Sequence, residues 1–215
     1  MMDLLHSALD LFLHLDAHLA GFTAEYGVWV YALLAVVVFC ETGLVVTPFL
    51  PGDSLLFVVG TLAGGGLLDF GTAAGVVFAA AVIGDGVNYA IGNAIGPRVY
   101  ARPDSRWLRQ EHLVRTRAFF ERHGGKTIVL ARFVPIVRTF APFVAGVGAM
   151  RYRRFLAYNV LGAAVWVLLF MTAGLLFGQI TWVKANLTLI ALGIVAVSLL
   201  PVAAHWLQAR GARMA

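Results

Sequence analysis

The sequence predicts an all-α polytopic membrane protein that forms a single domain over residues 1–215. Hydrophobic residues make up 60% of the chain and charged residues 13%, and the mean hydropathy is +0.85. This composition is too apolar for a water-soluble globule. A hydrocarbon core about 30 Å thick needs roughly 20 apolar residues in a helix, and runs at 70–96, 154–178 and 186–207 have that length. We expect these three runs to be full transmembrane helices.

The N-terminal segment, residues 1–24, differs from those runs because polar residues recur in it at helical spacing. Its polar positions are Asp3, Ser7, Asp10 and His14, and leucines dominate the other face. An amphipathic helix of this kind lies in the membrane interface. No basic residue precedes its apolar positions, so we expect no cleaved secretory signal.

Basic residues are confined to the second part of the chain. Residues 1–97 contain eight acids and no Lys or Arg, whereas the remainder holds all 16 basic residues and three acids. The positive-inside rule therefore predicts that the basic segment 98–126 and the C-terminus are cytoplasmic. A basic segment can also bind nucleic acid, but in so apolar a chain anionic headgroups account for the same charges. We expect no nucleic-acid partner.

Residues 127–150 lie between that basic segment and a second basic cluster that follows directly. If both clusters are cytoplasmic, this segment must begin and end on the cytoplasmic side, and we expect a second re-entrant hairpin there. Pro135 breaks a helix between Arg132 and Arg138 because proline removes an amide donor. Pro142 is predicted to mark a further break.

Residues 27–68 are predicted to contain the first re-entrant hairpin, which enters from the opposite face. Pro48 and Pro51 interrupt the apolar sequence there, with Glu41 before them and Asp53 after them. One hairpin then precedes each of the first two transmembrane helices. This order predicts an inverted repeat, an arrangement in which interrupted segments of the two halves form a transporter's binding site.

The charged residues beside these breaks indicate a shared cavity. Irregular backbone at membrane depth is tolerated only where protein or water shields it, so we expect Glu41 and Asp53 to face Arg132 and Arg138. Intramembrane ionisable residues are functional by default. The alternative is a set of purely structural ion pairs, since unpaired charges are costly in hydrocarbon.

Other polar residues have two interpretations each. Asp85 lies between two glycines in a transmembrane run and could carry protons or only hydrogen-bond a neighbouring helix. Asn159 is expected to support the site by linking helices, and Trp166 to pack against its neighbours or to anchor the membrane interface. Cys40 is the only cysteine, which excludes an internal disulfide and a cysteine metal cluster. We expect no metal and no cofactor.

Four ordered motifs resemble those of the DedA family, whose members carry the VTT domain. They are E-T-G…P-F-L-P-G-D-S-L-L (41–56), G-D-G-V-N-Y-A-I-G (84–92), R-F-V-P-I-V-R-T-F-A-P-F-V-A-G (132–146) and F-L-A-Y-N-V-L-G-A-A-V-W (155–166). The resemblance covers residues 25–180. It implies a multi-pass protein of the bacterial inner membrane with two opposed re-entrant hairpins.

The resemblance also implies a function in lipid translocation. Members of the family are linked to recycling of the carrier undecaprenyl phosphate or to phospholipid movement, with the proton-motive force commonly implicated. The family's acidic pair falls on Glu41 and Asp53, and its arginine pair falls on Arg132 and Arg138. The implied function is a proton-coupled flippase for a phosphate-bearing lipid, with membrane lipids and protons as its partners.

A mechanism follows from these charges. A phosphate headgroup is expected to displace a carboxylate from an arginine through bidentate contacts. The released carboxylate is desolvated and lies beside another negative group, so we expect it to take up a proton.

Three other functions were weighed against this one. A proton-coupled ion transporter and a general phospholipid scramblase remain alternatives. A membrane phosphatase ranks below them, because it needs a histidine near its basic cluster. All six histidines lie outside the predicted hairpins, at His6, His14, His18, His112, His123 and His205. We therefore expect a transporter and not an enzyme.

Overall fold

The computed structural model describes residues 21, 25–44, 52–100, 125–186, 189, 190 and 193. Within that part of the chain the structure is helical and contains no strand. In chain order the helices are α1 (Trp29–Gly43), α2 (Gly52–Gly64), α3 (Phe70–Tyr100), α4 (Lys126–Ala131), α5 (Pro135–Val147), α6 (Tyr152–Phe177) and α7 (Thr181–Ala185). The predicted all-α class is confirmed.

Two of the described helices, α3 and α6, are long and apolar enough to cross a membrane. The apolar part of α3 is Phe70–Gly96, with 27 residues, and α6 has 26 residues. Their bounds are close to the predicted runs at 70–96 and 154–178. The outer face of α6 exposes large apolar side chains, at Leu161, Leu168, Leu169 and Leu176. A contiguous apolar surface of this kind is suited to lipid and not to water.

Three sequence predictions fall largely outside the described residues. They are the interfacial helix over 1–24, the basic segment 98–126 apart from its two ends, and the third transmembrane helix over 186–207.

The helices α1 and α2 run in opposite directions and are linked at both ends by hydrogen bonds, and we call this pair the first helical hairpin. At its tip the Gly52 amide, which begins α2, donates a hydrogen bond to Glu41 Oε1 near the end of α1, at 3.1 Å. At its open end the Asp69 amide, just beyond α2, donates to the Tyr31 hydroxyl near the start of α1, at 2.9 Å. The chain therefore runs to the tip along α1 and returns along α2.

Asp69 also caps the start of α3. Its Oδ1 accepts hydrogen bonds from the Thr72 amide at 2.7 Å and from the Thr72 hydroxyl at 2.6 Å. Both bonds favour the ionised carboxylate and hold the pKa of Asp69 below its usual range. A carboxylate at this position satisfies one of the free amides of the first helical turn. The cap fixes the point at which the chain leaves the first hairpin and begins α3.

The helices α4 and α5 form a second helical hairpin, whose tip is the turn between them. The α4 helix ends at Ala131 and α5 begins at Pro135. Val134 has φ −120° and ψ 106°, the extended conformation that is favoured before a proline. The predicted break at Pro135 is therefore present. It places Arg132 in the turn and Arg138 in the first turn of α5.

The predicted break at Pro142 is wrong. The α5 helix is continuous through this residue from Pro135 to Val147, although Pro142 has no amide to donate to the carbonyl of Arg138. In this region α5 packs closely along α3, at Gly92 and Gly146. The chain turns instead at Gly148 and at Ala149, which has φ 53°.

The two hairpins pack on the long helices in the same pattern. The first arm of each hairpin packs on the long helix that follows it, α1 on α3 and α4 on α6, whereas the second arm packs on the other long helix, α2 on α6 and α5 on α3. Glycines line both second-arm crossings, Gly60 with Gly174 and Gly92 with Gly146. A Cβ at any of the four would collide with a carbonyl of the facing helix, so these residues permit close backbone approach.

The second hairpin opens at the opposite end of the molecule from the first. Along α2 and α6, Asp53 meets Trp166 and Thr61 meets Gly174 farther on, so these two helices run in the same direction. Since α2 returns to the end where α3 begins, α6 runs antiparallel to α3.

The direction of α5 places the second hairpin. Asn88 of α3 contacts Thr139 near the start of α5, and Gly96 lies against Val147 at the end of α5. The α5 helix therefore runs parallel to α3 and ends beside the end of α3. The tips of the two hairpins meet in the middle of the molecule.

Two apolar cores lie on either side of this meeting point. The larger core includes α3 residues from Ala73 to Ala81 and α6 residues from Ala163 to Met171. The smaller core includes Tyr89 and Phe155 of the same two helices. Asp85 of α3 and Asn159 of α6 fall between the two cores in sequence, so polar groups are concentrated where the tips meet.

Candidate functional site: a buried charge cluster

Arg138 joins three helices through two carboxylates. Its Nη1 donates to Asp53 Oδ1 of α2 at 2.9 Å, and its Nη2 lies 2.9 Å from Glu41 Oε1 of α1. All three residues are buried. Buried charges persist in proteins when they are paired in this way. The expected meeting of these three residues is present in the structure.

Arg132 makes the second buried pair. Its Nη2 binds Asp85 Oδ2 of α3 and donates a hydrogen bond to Asn159 Oδ1 of α6 at 2.7 Å. Asn159 Nδ2 in turn donates to the Val82 carbonyl at 3.1 Å. Asn159 therefore links α6 to α3 and orients Arg132. Asp85 is the arginine's carboxylate partner.

Trp166, which the sequence predicts to pack or to anchor the membrane interface, connects the two pairs. The side chain is fully buried, and its indole Nε1 donates to Asp53 Oδ1 at 2.7 Å. The guanidinium carbon lies 4.6 Å from the ring centroid for Arg138 and 5.5 Å for Arg132. Both distances fall within the range of cation–π attraction. One aromatic ring thus contacts both arginines and one of their carboxylates.

Asn88 is a second residue that the sequence reasoning missed. Its Nδ2 donates to the Thr42 carbonyl of α1 at 3.1 Å and to the Thr139 carbonyl of α5 at 2.8 Å. Asn88 follows Asp85 by three residues, which places both on one face of a helix. This three-residue spacing from Asp85 is the sequence signal that could have identified Asn88. Trp166 follows Asn159 by seven residues, two turns along the same face of α6.

A small cavity lies among these residues, with room for about 10 Å³ at the scale of a water molecule. Thr42, Asp85, Ile128, Arg132, Arg138 and Pro142 line it. Four buried polar atoms in the described part of the chain have no hydrogen-bond partner, namely Glu41 Oε2, Asn88 Oδ1, Arg132 Nη1 and Arg138 Nη2. Arg138 Nη2 lies 2.9 Å from Glu41 Oε1, but its N–H is not directed at that oxygen. Buried polar atoms without partners are uncommon in folded proteins.

The buried ion pairs of Arg132 and Arg138 form one charge cluster. Among the described residues this cluster holds more acids than bases. Its three carboxyl groups, Glu41, Asp53 and Asp85, face two guanidinium groups. With every group ionised the net charge is −1, and one bound proton makes it zero. Because net charge is costly at membrane depth, this composition is suited to holding one exchangeable proton.

The local sequence around Glu41 and Asp53 explains how the carboxylates are held. A Cβ at position 52 would displace the Glu41 carboxylate, so glycine leaves room for this carboxylate beside the Gly52 amide. Asp53 lies in the first turn of α2, where the helix dipole favours a negative charge. The glycine and the helix start together stabilise two neighbouring carboxylates.

The structure describes two of the four prolines that are predicted to break the hairpins. Pro48 and Pro51 lie outside the described residues. Pro135 begins α5, as expected, and Pro142 lies within α5 and lines the cavity. Among the described residues no group of three or more His, Cys, Asp or Glu side chains is placed to hold a metal ion.

The fold and the cluster define a class: an α-helical membrane protein with buried, paired charges at the meeting point of two helical hairpins. Comparison with known proteins gives the family. The VTT domain matches residues 50–176. Protein DedA of Escherichia coli strain K12 is 58% identical over 202 residues, which cover 93% of this chain and 92% of that protein. No solved structure matches the chain.

More distant relatives are similar over most of the chain. An uncharacterized membrane protein of Mycobacterium tuberculosis strain H37Rv is 43% identical over 84% of this chain and 80% of its own length. Inner membrane protein YghB of Escherichia coli strain K12 is 33% identical over 73% of this chain and 72% of its own length. The chain therefore belongs to the DedA family of VTT-domain proteins, and it is a bacterial inner-membrane protein.

Proposed function

We propose that this protein translocates a phosphate-bearing lipid across the inner membrane, with undecaprenyl phosphate as the substrate, and that a proton gradient drives the movement. The observation that carries the proposal is the pair of buried arginines, Arg132 and Arg138. Each lines the same cavity and keeps one Nη atom without a hydrogen-bond partner. Two such donors match the oxygens of a phosphate group.

The proposed topology has two re-entrant hairpins that approach from opposite faces as halves of an inverted repeat. It is supported by the antiparallel course of α3 and α6 and by the opposite open ends of the two hairpins. The basic segment 98–126 and the C-terminus are cytoplasmic in this proposal, as the positive-inside rule requires. Discontinuous helices that meet near the midplane are the usual setting for a transporter's substrate site.

The proposed mechanism exchanges one anion for another at the arginines. A phosphate headgroup binds the two Nη atoms that make no hydrogen bond and displaces a carboxylate from its guanidinium. The displaced carboxylate takes up a proton, which restores the charge balance of the cluster. The polyprenyl tail remains in the lipid while the headgroup passes between the hairpin tips. Proton uptake and phosphate binding are coupled because both act on the same ion pairs.

Two other transport functions would use the same cluster. A proton-coupled ion transporter needs the carboxylates but no lipid, and a general phospholipid scramblase needs no proton gradient. A phosphatase needs a nucleophile or a proton-shuttling group at the phosphate. We propose a transport role and no enzymatic role for this protein.

Reconstituted protein tests the proposal. Proteoliposomes that contain undecaprenyl phosphate in one leaflet should show its movement to the other leaflet, faster when a pH gradient is imposed. Equal movement of phosphatidylethanolamine without a gradient would instead indicate a scramblase. Release of inorganic phosphate from undecaprenyl pyrophosphate would indicate a phosphatase.

A further inference from the structure

The three carboxylates of the cluster are held to different degrees. Asp53 Oδ1 accepts two hydrogen bonds, from Arg138 Nη1 at 2.9 Å and from the Trp166 indole at 2.7 Å. Asp85 is paired with Arg132. Glu41 accepts the Gly52 amide at Oε1, whereas its buried Oε2 has no hydrogen-bond partner.

The contact between Glu41 and Arg138 is also weaker than the contact between Asp53 and Arg138. Arg138 Nη2 lies 2.9 Å from Glu41 Oε1, yet it makes no hydrogen bond with it. Arg138 Nη1 is directed at Asp53. A charge-assisted hydrogen bond is stronger than a contact that lacks alignment. An incoming anion therefore displaces Glu41 from Arg138 more readily than it displaces Asp53.

Trp166 explains why Asp53 is held more firmly than Glu41. The indole has one N–H donor and no acceptor, so its hydrogen bond favours a carboxylate that stays ionised. It donates to Asp53 while its ring lies against both guanidinium groups. Because the side chain is fully buried in the larger apolar core, the ring is held in place.

We propose that Trp166 is a positioning residue that keeps Asp53 bound to Arg138, so that Glu41 is the carboxylate which the phosphate displaces and which takes up the proton. This proposal rests on the proposed function. It assigns different roles to two carboxylates that the sequence presents as a pair. Asp53 becomes the fixed counter-ion and Glu41 the exchanging group.

The surroundings of Glu41 are consistent with this assignment. The charged groups that face it are Arg138 of α5, Asp53 of α2 and Arg132 of the turn before α5. The remaining packed helix, α3, contributes Asp85, which is bound to Arg132. Protonation of Glu41 therefore leaves each arginine with one carboxylate partner. Protonation of Asp53 would remove the hydrogen-bonded partner of Arg138 and leave an indole donor facing a neutral acid.

Infrared difference spectroscopy tests the proposal on the full-length protein in lipid. The probe is undecaprenyl phosphate, added to vesicles that hold the protein, and the signal is the carbonyl stretch of a newly protonated carboxyl group. We expect this band in the wild type. It should be lost in Glu41→Gln and retained in Asp53→Asn.

The role of Trp166 is tested by combining substitutions. Trp166→Phe keeps an aromatic face for the arginines but removes the N–H, so Asp53 Oδ1 loses its hydrogen bond from the indole. In the Trp166→Phe, Glu41→Gln double variant we expect the band to return, because Asp53 can then be displaced and protonated. Trp182→Phe, at an exposed tryptophan, combined with Glu41→Gln is the matched control and should show no band.

The possible results separate this inference from the proposed function. A band that is lost in Asp53→Asn and kept in Glu41→Gln overturns the assignment while phosphate binding stands. The Trp166→Phe, Glu41→Gln variant should melt like Glu41→Gln and still bind the probe. If it does both and shows no band, the proposed role of Trp166 is overturned. Absence of probe binding in the wild type overturns the proposed function and this inference with it.

Discussion

Asp85 of α3 and Arg132 of the second hairpin tip form a buried ion pair that joins the first half of the chain to the second. Neither residue is exposed, and Asn159 adds a hydrogen bond to the same arginine nitrogen at 2.7 Å. The pair shows that Asp85, for which the sequence leaves two interpretations, belongs to the charge cluster. Its energetic and transport roles can be measured separately.

Asp85→Asn should lower the free energy of unfolding, because it leaves the Arg132 guanidinium buried without its carboxylate. Breaking one partner of a buried pair costs about 3–5 kcal/mol. Unfolding by denaturant in detergent measures this loss. The double variant Asp85→Asn, Arg132→Met removes both charges and should recover part of the stability. A double variant no more stable than Asp85→Asn would show that the pair is not what stabilises this region.

Arg132→Lys and Arg138→Lys should each reduce transport of undecaprenyl phosphate although the charge is kept. A lysine cannot reproduce the planar fork that binds two oxygens at once. The assay is lipid movement in proteoliposomes that contain equal amounts of inserted protein. Arg153→Lys, at an exposed position at the start of α6, is the matched control and should transport normally. Normal transport by both cluster variants would count against phosphate recognition by these arginines.

Gly60→Ala and Gly92→Ala should destabilise the protein, because a Cβ at either position collides with a carbonyl of the facing helix. Overpacking of this kind costs about 1–3 kcal/mol. Gly75→Ala is the control, since nothing lies within 4 Å of its Cβ position. It should leave stability unchanged or raise it by up to about 1 kcal/mol, as expected for alanine in place of glycine in a helix. Equal melting temperatures for all three variants would refute the close crossings.

The topology can be tested with single cysteines in a Cys40→Ala background. Cysteines at Ser105 and Arg115 should be shielded from impermeant thiol reagents in intact cells, because the basic segment is proposed to be cytoplasmic. A cysteine at Leu67, in the exposed connection between α2 and α3, should be labelled from outside. The reverse pattern would invert the proposed orientation.

The sequence predicts the all-α class and the two long helices well, because apolar runs of this length form few structures other than membrane-spanning helices. It also places Arg138 with Glu41 and Asp53, since unpaired charges in an apolar chain must find partners. Pro142 was misjudged because its effect depends on whether neighbouring packing can replace one missing hydrogen bond. That packing involves Gly92 and Gly146, which are distant in sequence.

The roles of Trp166 and Asn88 were not predictable for a related reason. An aromatic residue in an apolar run is usually part of the core, and only the course of α6 beside α2 brings the indole to Asp53. Asn88 likewise bonds to carbonyls of α1 and α5. Both contacts depend on how the hairpins cross the long helices, which hydropathy and charge do not specify.

The central claim, that the buried cluster couples phosphate-lipid transport to protons, is tested most directly by the gradient response of the Glu41→Gln, Asp53→Asn double variant. Folding is checked by thermal melting, and binding of undecaprenyl phosphate is measured in parallel. In proteoliposomes the wild type should move undecaprenyl phosphate faster when a pH gradient is imposed. The folded double variant should still bind the lipid but show no acceleration. Acceleration equal to that of the wild type would contradict the claim and make Asp85 the next carboxylate to test.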